Sequence, residues 1–235
     1  MLMTDNNQIH QFNNNTMLSE QLAKKITTLL EKGINEKGNA SLVLSGGKTP
    51  ILLYEKLSCI DIDWSKVFVT LTDERWVSMR HDASNEKMLR THFLINFAQK
   101  AHFIGLYNMH RTAKMGVDMT NKRLSEIPLP IDVVVLGMGE DGHTASLFPC
   151  SKDLDNALKS DLMCTAVMPT TASFPRLTLT YNMLSQAQHI FLHIVGENKL
   201  ETLNKAKAQS DIYQMPIKAF LDLKNTPISI YWSKE

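Results

Sequence analysis

Apolar residues recur along the chain at two spacings that alternate. Residues 18–30 carry leucine and isoleucine at helical intervals with charged residues between them, which predicts an amphipathic helix ended by Gly33 and Gly38. Short, β-branched apolar runs predict strands that are buried on both faces. These runs are residues 40–44, 67–71, 133–136, 163–168, 189–195 and 228–232. Further helices are predicted over residues 51–57, 85–97, 112–127 and 177–184. A last one follows the strand at residues 189–195 and ends near residue 208.

The regular alternation of strands and helices determines the expected fold class. Most connections are short, as in an α/β fold with a doubly wound, mainly parallel sheet and helices on both faces. We expect residues 1–235 to form a single domain. Residues 1–15 are polar and rich in asparagine, and they are interpreted as an N-terminal extension that could be mobile.

Charge and cysteine content narrow the range of functions. The 25 basic side chains balance 24 acidic ones, so no overall field would recruit nucleic acid or a membrane surface. No apolar run approaches the roughly 18 residues needed to cross a bilayer, and residues 1–15 do not resemble a signal peptide. Three cysteines without metal-ligand spacing indicate reduced thiols. The sequence therefore predicts a cytoplasmic protein without a metal site.

Glycines follow the strand predicted at residues 133–136. Gly137, Gly139 and Gly142 allow tight turns and close approach to a ligand, and His143 follows them as the only local side chain that titrates near neutral pH. Ligands of open α/β sheets bind beyond the carboxyl ends of the strands, so His143 is a candidate acid or base. A buried structural histidine is the alternative.

This glycine pattern also satisfies the G-x-G-x-x-G fingerprint of dinucleotide sites. The fingerprint normally opens a long helix, whereas Pro149 interrupts the chain seven residues after Gly142. We therefore do not expect a nucleotide cofactor.

A second glycine turn follows the strand predicted at residues 40–44. It consists of Ser45, Gly46, Gly47, Lys48 and Thr49, and Pro50 fits the first turn of the next helix. A strand, a glycine turn and a helix N-terminus together form a typical anion site. A simple tight turn remains the alternative.

Charged residues follow other predicted strands. Asp73 and Arg75 come directly after residues 67–71, while Arg176 and Lys199 follow later elements. Because the ends of parallel strands share one edge, these residues can converge with the glycine turns. Arginine and lysine near a glycine turn suggest a phosphate ligand. Neither Ser45 nor Ser146 lies in the G-x-S-x-G setting of a nucleophile.

Five segments together resemble the motifs of 6-phosphogluconolactonases. They are Leu44-Ser-Gly-Gly-Lys-Thr-Pro50, Thr72-Asp-Glu-Arg-Trp-Val77, Ser84-Asn85, Leu136-Gly-Met-Gly-Glu-Asp-Gly-His-Thr-Ala-Ser-Leu-Phe-Pro149 and Pro175-Arg-Leu-Thr-Leu-Thr180. They occur in the order found in that family and span most of the chain. The one departure is Ser78, where the family commonly has proline.

This resemblance implies a Rossmann-like fold and a cytosolic lactone hydrolase of the oxidative pentose phosphate pathway, with no cofactor and no catalytic metal. It implies that His143 is the general base and that Arg75 lies close to the substrate. It also implies phosphate binding by Ser45, Gly46, Gly47, Arg176 and Lys199. Lys48, Thr49, Asn85, Gly137, Gly139 and Gly142 complete the predicted substrate site.

The resulting hypothesis is that His143 activates a water that attacks the lactone carbonyl of 6-phospho-D-glucono-1,5-lactone. Asp141 and Asp73 are both candidates for orienting the imidazole, and the sequence does not choose between them. Arg75 or backbone N–H groups of the turn would stabilise the oxyanion.

Two other functions are alternatives. An isomerase or deaminase of amino-sugar phosphates resembles this chain, but Phe148 replaces its glutamate and Arg75 its tyrosine. A sugar-phosphate sensor would need no histidine. A sugar-phosphate lactone is the only partner expected, and the chain is expected to be a monomer or a small homo-oligomer.

Overall fold

A seven-stranded parallel sheet forms the centre of the protein, seen in a computed structural model that describes residues 7–235. In spatial order its strands are β1 (Ile9–Phe12), β10 (Ser229–Ser233), β9 (His189–Val195), β6 (Val133–Leu136), β2 (Ala40–Leu44), β3 (Val67–Leu71) and β5 (His102–Phe103). Every neighbouring pair is parallel. All residues of β2 and β6 are buried, as their continuous apolar runs predict.

Helices cover this sheet. They are α1 (Asn15–Lys37), α2 (Ile51–Ser58), α3 (Asn85–His92), α4 (Ala113–Leu124), α5 (Leu154–Lys159), α6 (Tyr181–Ser185), α7 (Glu197–Ala208) and α8 (Ile217–Leu221). The predicted doubly wound, mainly parallel α/β fold with helices on both faces is confirmed. No helix among the described residues combines the length and the apolar composition that crossing a bilayer requires.

Two helix boundaries differ from the prediction. α1 does not end at Gly33, which is buried within the helix next to Asp132; it ends at Gly38, whose φ of 82° is favourable only for glycine. α3 ends at His92 instead of residue 97. A separate 3₁₀ helix, Asn96–Lys100, follows it.

A second, antiparallel sheet lies beside the first and consists of β4 (Asp73–Arg75), β8 (Arg176–Leu179) and β7 (Cys164–Val167), with β8 in the centre. The helix predicted over residues 177–184 is therefore wrong in its first half. Leucine and threonine alternate over residues 177–180, and this period of two is that of a strand. The helix α6 begins only at Tyr181.

The N-terminal part of the chain contributes an edge strand that its polar composition did not predict. β1 pairs with β10, and Ile9 lies opposite Ile230. The predicted extension of residues 1–15 thus includes a strand and the first residue of α1, while residues 1–6 lie outside the described part of the chain.

The strand order reverses between β2 and β6. From β2 the chain moves outwards to β3 and β5, and from β6 it moves in the opposite direction to β9 and β10. Such a switch point leaves a crevice at the carboxyl ends of the two central strands, which is where doubly wound sheets bind ligands. Both predicted glycine turns follow these two strands.

Candidate active site

A cavity of about 210 Å³ opens at the switch point between β2 and β6. Most of the residues predicted for the site line it. They are Ser45, Gly46, Gly47, Thr49, Asp73, Arg75, Asn85, Gly137, Gly139, His143, Arg176 and Lys199. Segments separated by more than a hundred residues therefore meet at one edge of the sheet, as the parallel topology requires.

His143 is held by the carboxylate of Asp141. The distance from His143 Nδ1 to Asp141 Oδ1 is 2.5 Å, and the same oxygen accepts the backbone N–H of His143 at 3.1 Å. Partial burial opposes ionisation of Asp141, but the hydrogen bonds and charge of His143 outweigh it and lower the pKa of this carboxyl. With Nδ1–H donating to a carboxylate, Nε2 is the nitrogen that can accept a proton.

Gly139 makes room for this pair. A Cβ at this position would overlap Nδ1 of His143 and would lie 2.7 Å from Asp141 Oδ1. The turn is closed by a hydrogen bond from the Gly139 N–H to the carbonyl of His143, at 2.8 Å. The His143 imidazole can therefore occupy this position only because residue 139 has no side chain.

Asp73 has different partners from Asp141. Its Oδ2 accepts the Ser146 hydroxyl at 2.5 Å and lies 3.3 Å from Nη1 of Arg176. All three side chains are buried, so the carboxylate is paired and hydrogen-bonded as a buried charge must be. Burial lowers the pKa of Arg176, and Asp73 opposes that shift. Asp141, and not Asp73, is thus the carboxylate in contact with His143.

Cationic groups around the cavity have unused hydrogen-bond donors. The Nε atoms of Arg75 and Arg176 are buried, and neither has a partner within residues 7–235. Arg75 donates from Nη1 to the carbonyl of Ala83 at 2.7 Å. Lys199, in the first turn of α7, makes no ion pair with the described residues. Free donors on buried cations are the arrangement that binds an anion.

Glu74 fixes the loop that carries Arg75. Its carboxylate accepts the backbone N–H groups of Arg75, Asn85 and Glu86 at 2.8, 2.8 and 2.7 Å, and the Ser84 hydroxyl at 3.1 Å. Burial raises the pKa of Glu74 to about 7, although these N–H donors oppose the shift. Through these hydrogen bonds, the Glu74 carboxyl connects β4 to the N-terminus of α3.

The first glycine turn is fixed on both sides. The Tyr54 hydroxyl donates to the carbonyl of Ser45 at 2.6 Å, and the Asn85 amide donates to the carbonyl of Asp73 at 2.9 Å. The Asn85 side chain lies so close to Gly46 that a Cβ there would overlap it. The turn leads into α2, and Ser45, Gly46 and Gly47 line the cavity just before this helix N-terminus.

Two predicted binding residues do not line the cavity. The Lys48 side chain is exposed to solvent at the outer part of the turn. Gly142 shapes the second turn with a φ of 77° and packs against Met215. Both residues belong to turns, and only some residues of each glycine-rich turn line the cavity.

The sequence predicted no role in the site for three side chains that the structure brings there. Ser146 contacts Asp73, Phe148 contacts His143, and His193 lines the cavity from β9. Burial lowers the pKa of His193 to about 4. The sequence does contain a signal for His193, because it is a histidine near the carboxyl end of an apolar strand. Among residues 7–235, no group of three or more His, Cys, Asp or Glu side chains could hold a metal ion.

The doubly wound fold and a cavity lined by a histidine, two arginines and a lysine at the switch point define the class of this α/β protein. The family described as Glucosamine-6-phosphate isomerases/6-phosphogluconolactonase matches residues 13–232. The chain belongs to this family, as its motifs predicted.

Several similar proteins are named 6-phosphogluconolactonase. The 6-phosphogluconolactonase of Pseudomonas putida is 41% identical over 226 residues, covering 95% of this chain and 92% of its own. That of Pseudomonas aeruginosa is 43% identical over 213 residues, covering 90% and 88%. The crystal structure of a 6-phosphogluconolactonase from Shewanella baltica has a TM-score of 0.96 at 47% identity, covering 97% of each chain. The predicted membership of a lactone hydrolase family is confirmed.

Proposed function

We propose that the protein hydrolyses 6-phospho-D-glucono-1,5-lactone to 6-phospho-D-gluconate. The observation that supports this most directly is the 2.5 Å contact between His143 Nδ1 and Asp141 Oδ1 at the wall of a cationic cavity. The names of the relatives supply the substrate. The oxidative pentose phosphate pathway, a cytoplasmic location and a monomer or small homo-oligomer belong to the same proposal.

His143 acts as the general base and then as the general acid. Its Nε2 takes a proton from a water whose oxygen attacks the lactone carbonyl, which forms a tetrahedral intermediate. The intermediate collapses with cleavage of the bond to the ring oxygen, and the imidazolium returns the proton to that oxygen. Asp141, ionised because its pKa is lowered, stabilises the transient imidazolium and keeps Nδ1 protonated.

The substrate phosphate binds to the cations and to the first glycine turn. Arg176 and Lys199 approach the cavity from β8 and α7, and Gly46 and Gly47 supply backbone N–H groups at the start of α2. Fixing the phosphate places the lactone carbonyl next to His143, and such positioning accounts for much of an enzyme's rate advantage.

Arg75 and the second glycine turn surround the developing oxyanion. The Nε–H of Arg75 is buried and has no partner in the described part of the chain, and Gly137 and Gly139 line the same cavity. Donors that are already oriented where negative charge develops stabilise the transition state without reorganisation. Arg75 is therefore assigned to the oxyanion side and Arg176 to the phosphate side.

The experiment is to generate the lactone freshly and to follow acid release by the purified protein against spontaneous hydrolysis. We expect His143→Gln to lower turnover by about 10² to 10⁴, the usual contribution of general acid–base catalysis. His92→Gln is the matched control, because His92 lies on the surface beside Glu55.

Other outcomes would overturn the proposal. Release of ammonia from glucosamine 6-phosphate without lactone hydrolysis would favour an isomerase or deaminase. Tight binding of sugar phosphates without acceleration of either reaction would favour a sensor. A folded His143→Gln variant with normal activity would refute the role of the histidine.

A further inference from the structure

The aromatic ring of Phe148 contacts both His143, the proposed acid–base residue, and Arg176, which is assigned to the phosphate side. The rings of Phe148 and His143 are stacked, with centroids 4.1 Å apart and planes inclined by 29°. The guanidinium carbon of Arg176 lies over the same Phe148 ring, 5.0 Å from its centroid. Phe148 is only 3% exposed, so the ring has few alternative positions.

The backbone on either side of Phe148 is held by contacts that do not involve His143 or Arg176. The Ser146 hydroxyl binds Asp73, and the Ser146 N–H donates to Thr178 Oγ1 at 3.2 Å. The carbonyl of Phe148 accepts the Ser151 N–H at 3.0 Å. The backbone around Phe148 is thereby attached to the small sheet, and its ring projects from a fixed support.

We propose that Phe148 is a positioning residue that sets the plane of the His143 imidazole and the place of the Arg176 guanidinium relative to each other. This inference rests on the proposed function, because it assigns Phe148 to the same acid–base histidine. One hydrogen bond to Asp141 fixes the direction of Nδ1 but leaves rotation of the ring about that direction. A stacked face removes this rotation, so Nε2 is aimed at one point of the cavity.

The contact with Arg176 connects the histidine to the phosphate side. Arg176 already has Asp73 and Ser146 as partners, so it does not depend on Phe148 to remain in the site. The cation–π contact instead fixes its distance from the imidazole. Loss of the aromatic face should therefore affect turnover more than substrate affinity, because Arg176 keeps its other partners, whereas rotation of the imidazole about its bond to Asp141 is limited by the ring.

The test compares Phe148→Leu, which keeps apolar bulk but removes the flat face, with Phe148→Tyr, which retains it. We expect kcat of Phe148→Leu to fall about 10-fold, the scale expected for a base displaced by a fraction of an ångström, while KM changes by less than about 3-fold. Phe148→Tyr should restore most of kcat. Phe191→Leu is the matched control, since Phe191 is buried against Tyr231 and does not line the cavity.

A second measurement does not depend on activity. Histidine-selective NMR, with the His143 signals assigned by their absence in His143→Gln, reports the ring current of Phe148 on the imidazole. We expect these signals to shift in Phe148→Leu and to stay near the wild-type position in Phe148→Tyr and Phe191→Leu. If Phe148→Leu does not fold, Phe148→Met replaces it in both measurements.

Each outcome decides between the alternatives. Wild-type kcat or unshifted His143 signals in Phe148→Leu would overturn the inference, and so would an equal loss in Phe191→Leu or no rescue in Phe148→Tyr. If the wild-type protein hydrolyses no lactone, the proposed function fails. The NMR arm then still supports or refutes the positioning of His143 by Phe148.

Discussion

Arg75 and Arg176 lie directly opposite each other on the antiparallel strands β4 and β8. Like charges at such paired positions destabilise a sheet. Asp73 is the ion-pair partner of Arg176 among the described residues, and it balances one of the two charges. Arg75 makes no ion pair with the described residues, and a bound phosphate or an oxyanion would supply a negative charge beside it.

The first prediction is that anions stabilise the fold through this pair. Inorganic phosphate or 6-phosphogluconate at 100 times its Kd should raise the free energy of unfolding by about 2.7 kcal/mol. Arg75→Met should weaken product binding by roughly 10- to 100-fold, because each charge-assisted hydrogen bond contributes about 1.5–3 kcal/mol. Arg176→Lys should weaken phosphate binding while retaining a cation beside Asp73.

Thermal unfolding without ligand, with phosphate and with 6-phosphogluconate measures these effects. Arg80→Met is the control, since Arg80 is exposed on the neighbouring loop. Equal stabilisation by phosphate in all three variants would show that the anion binds elsewhere.

The second prediction concerns Asp141. Asp141→Asn removes the negative charge that holds Nδ1–H of His143, so the imidazolium formed during the reaction loses its partner. We expect kcat to fall by about 10- to 100-fold, equivalent to a charge-assisted hydrogen bond of about 1.5–3 kcal/mol, with little change in KM. Steady-state kinetics checks this, with Asp118→Asn on the exposed face of α4 as the control. Normal turnover in Asp141→Asn would mean that another group orients the histidine.

The third prediction contrasts two glycines of the same turn. Gly139→Ala introduces a Cβ that overlaps His143 Nδ1, whereas a Cβ at Gly137 would meet only Ser45 Oγ, at 3.9 Å. Gly139→Ala should therefore lower kcat by about 10²-fold through displacement of the imidazole. Gly137→Ala should cause a much smaller loss. Similar kinetic effects in the two variants would indicate that backbone flexibility, and not space for His143, explains the glycine at position 139.

The fourth prediction is a pH dependence of stability due to Glu74. Burial raises the pKa of this carboxyl from 4.5 to about 7, so the folded state binds its proton more tightly than the unfolded state does. The stabilisation is complete below pH 4.5 and is lost as the pH rises through 7, by an amount on the order of 3 kcal/mol.

Denaturant unfolding between pH 4 and 8 measures this contribution. Glu74→Gln should flatten the pH dependence, and it should also lower stability at every pH because its amide N–H₂ faces backbone donors. Glu31→Gln on the surface of α1 should leave the pH profile unchanged. An unaltered profile in Glu74→Gln would assign the titration to another group.

The sequence alone predicted five of the seven strands of the central sheet, because these five are continuous apolar runs. The two-residue strand β5 was not predicted, and the run predicted at residues 163–168 forms β7 of the antiparallel sheet instead. The runs at β2 and β6 placed Ser45 and His143 at one edge of the sheet. β1 was missed because a polar edge strand has no apolar signal, and it depends on pairing with β10 from the other end of the chain. β8 was misassigned because the alternation of leucine and threonine over residues 177–180 is short and leads directly into the helix that begins at Tyr181.

The choice between Asp141 and Asp73 could not be made from sequence. Asp141 is two residues from His143, and Asp73 is far away in the chain, but both follow strands that end at the same edge. Only the coordinates show that Ser146 and Arg176 engage Asp73. The contact between Phe148 and His143 likewise depends on the path of the turn, which a spacing of five residues does not determine.

The strand order has a consequence for how the protein acquires its site during folding. Ser45, His143 and Lys199 follow strands of the parallel sheet, whereas Arg75 lies on a strand that pairs with β8, about a hundred residues later in the chain. Pairings between residues so distant in sequence raise the contact order, which slows folding. The cavity is complete only when both sheets have formed and α7 has docked, so any recovery of catalysis after denaturation should follow these steps.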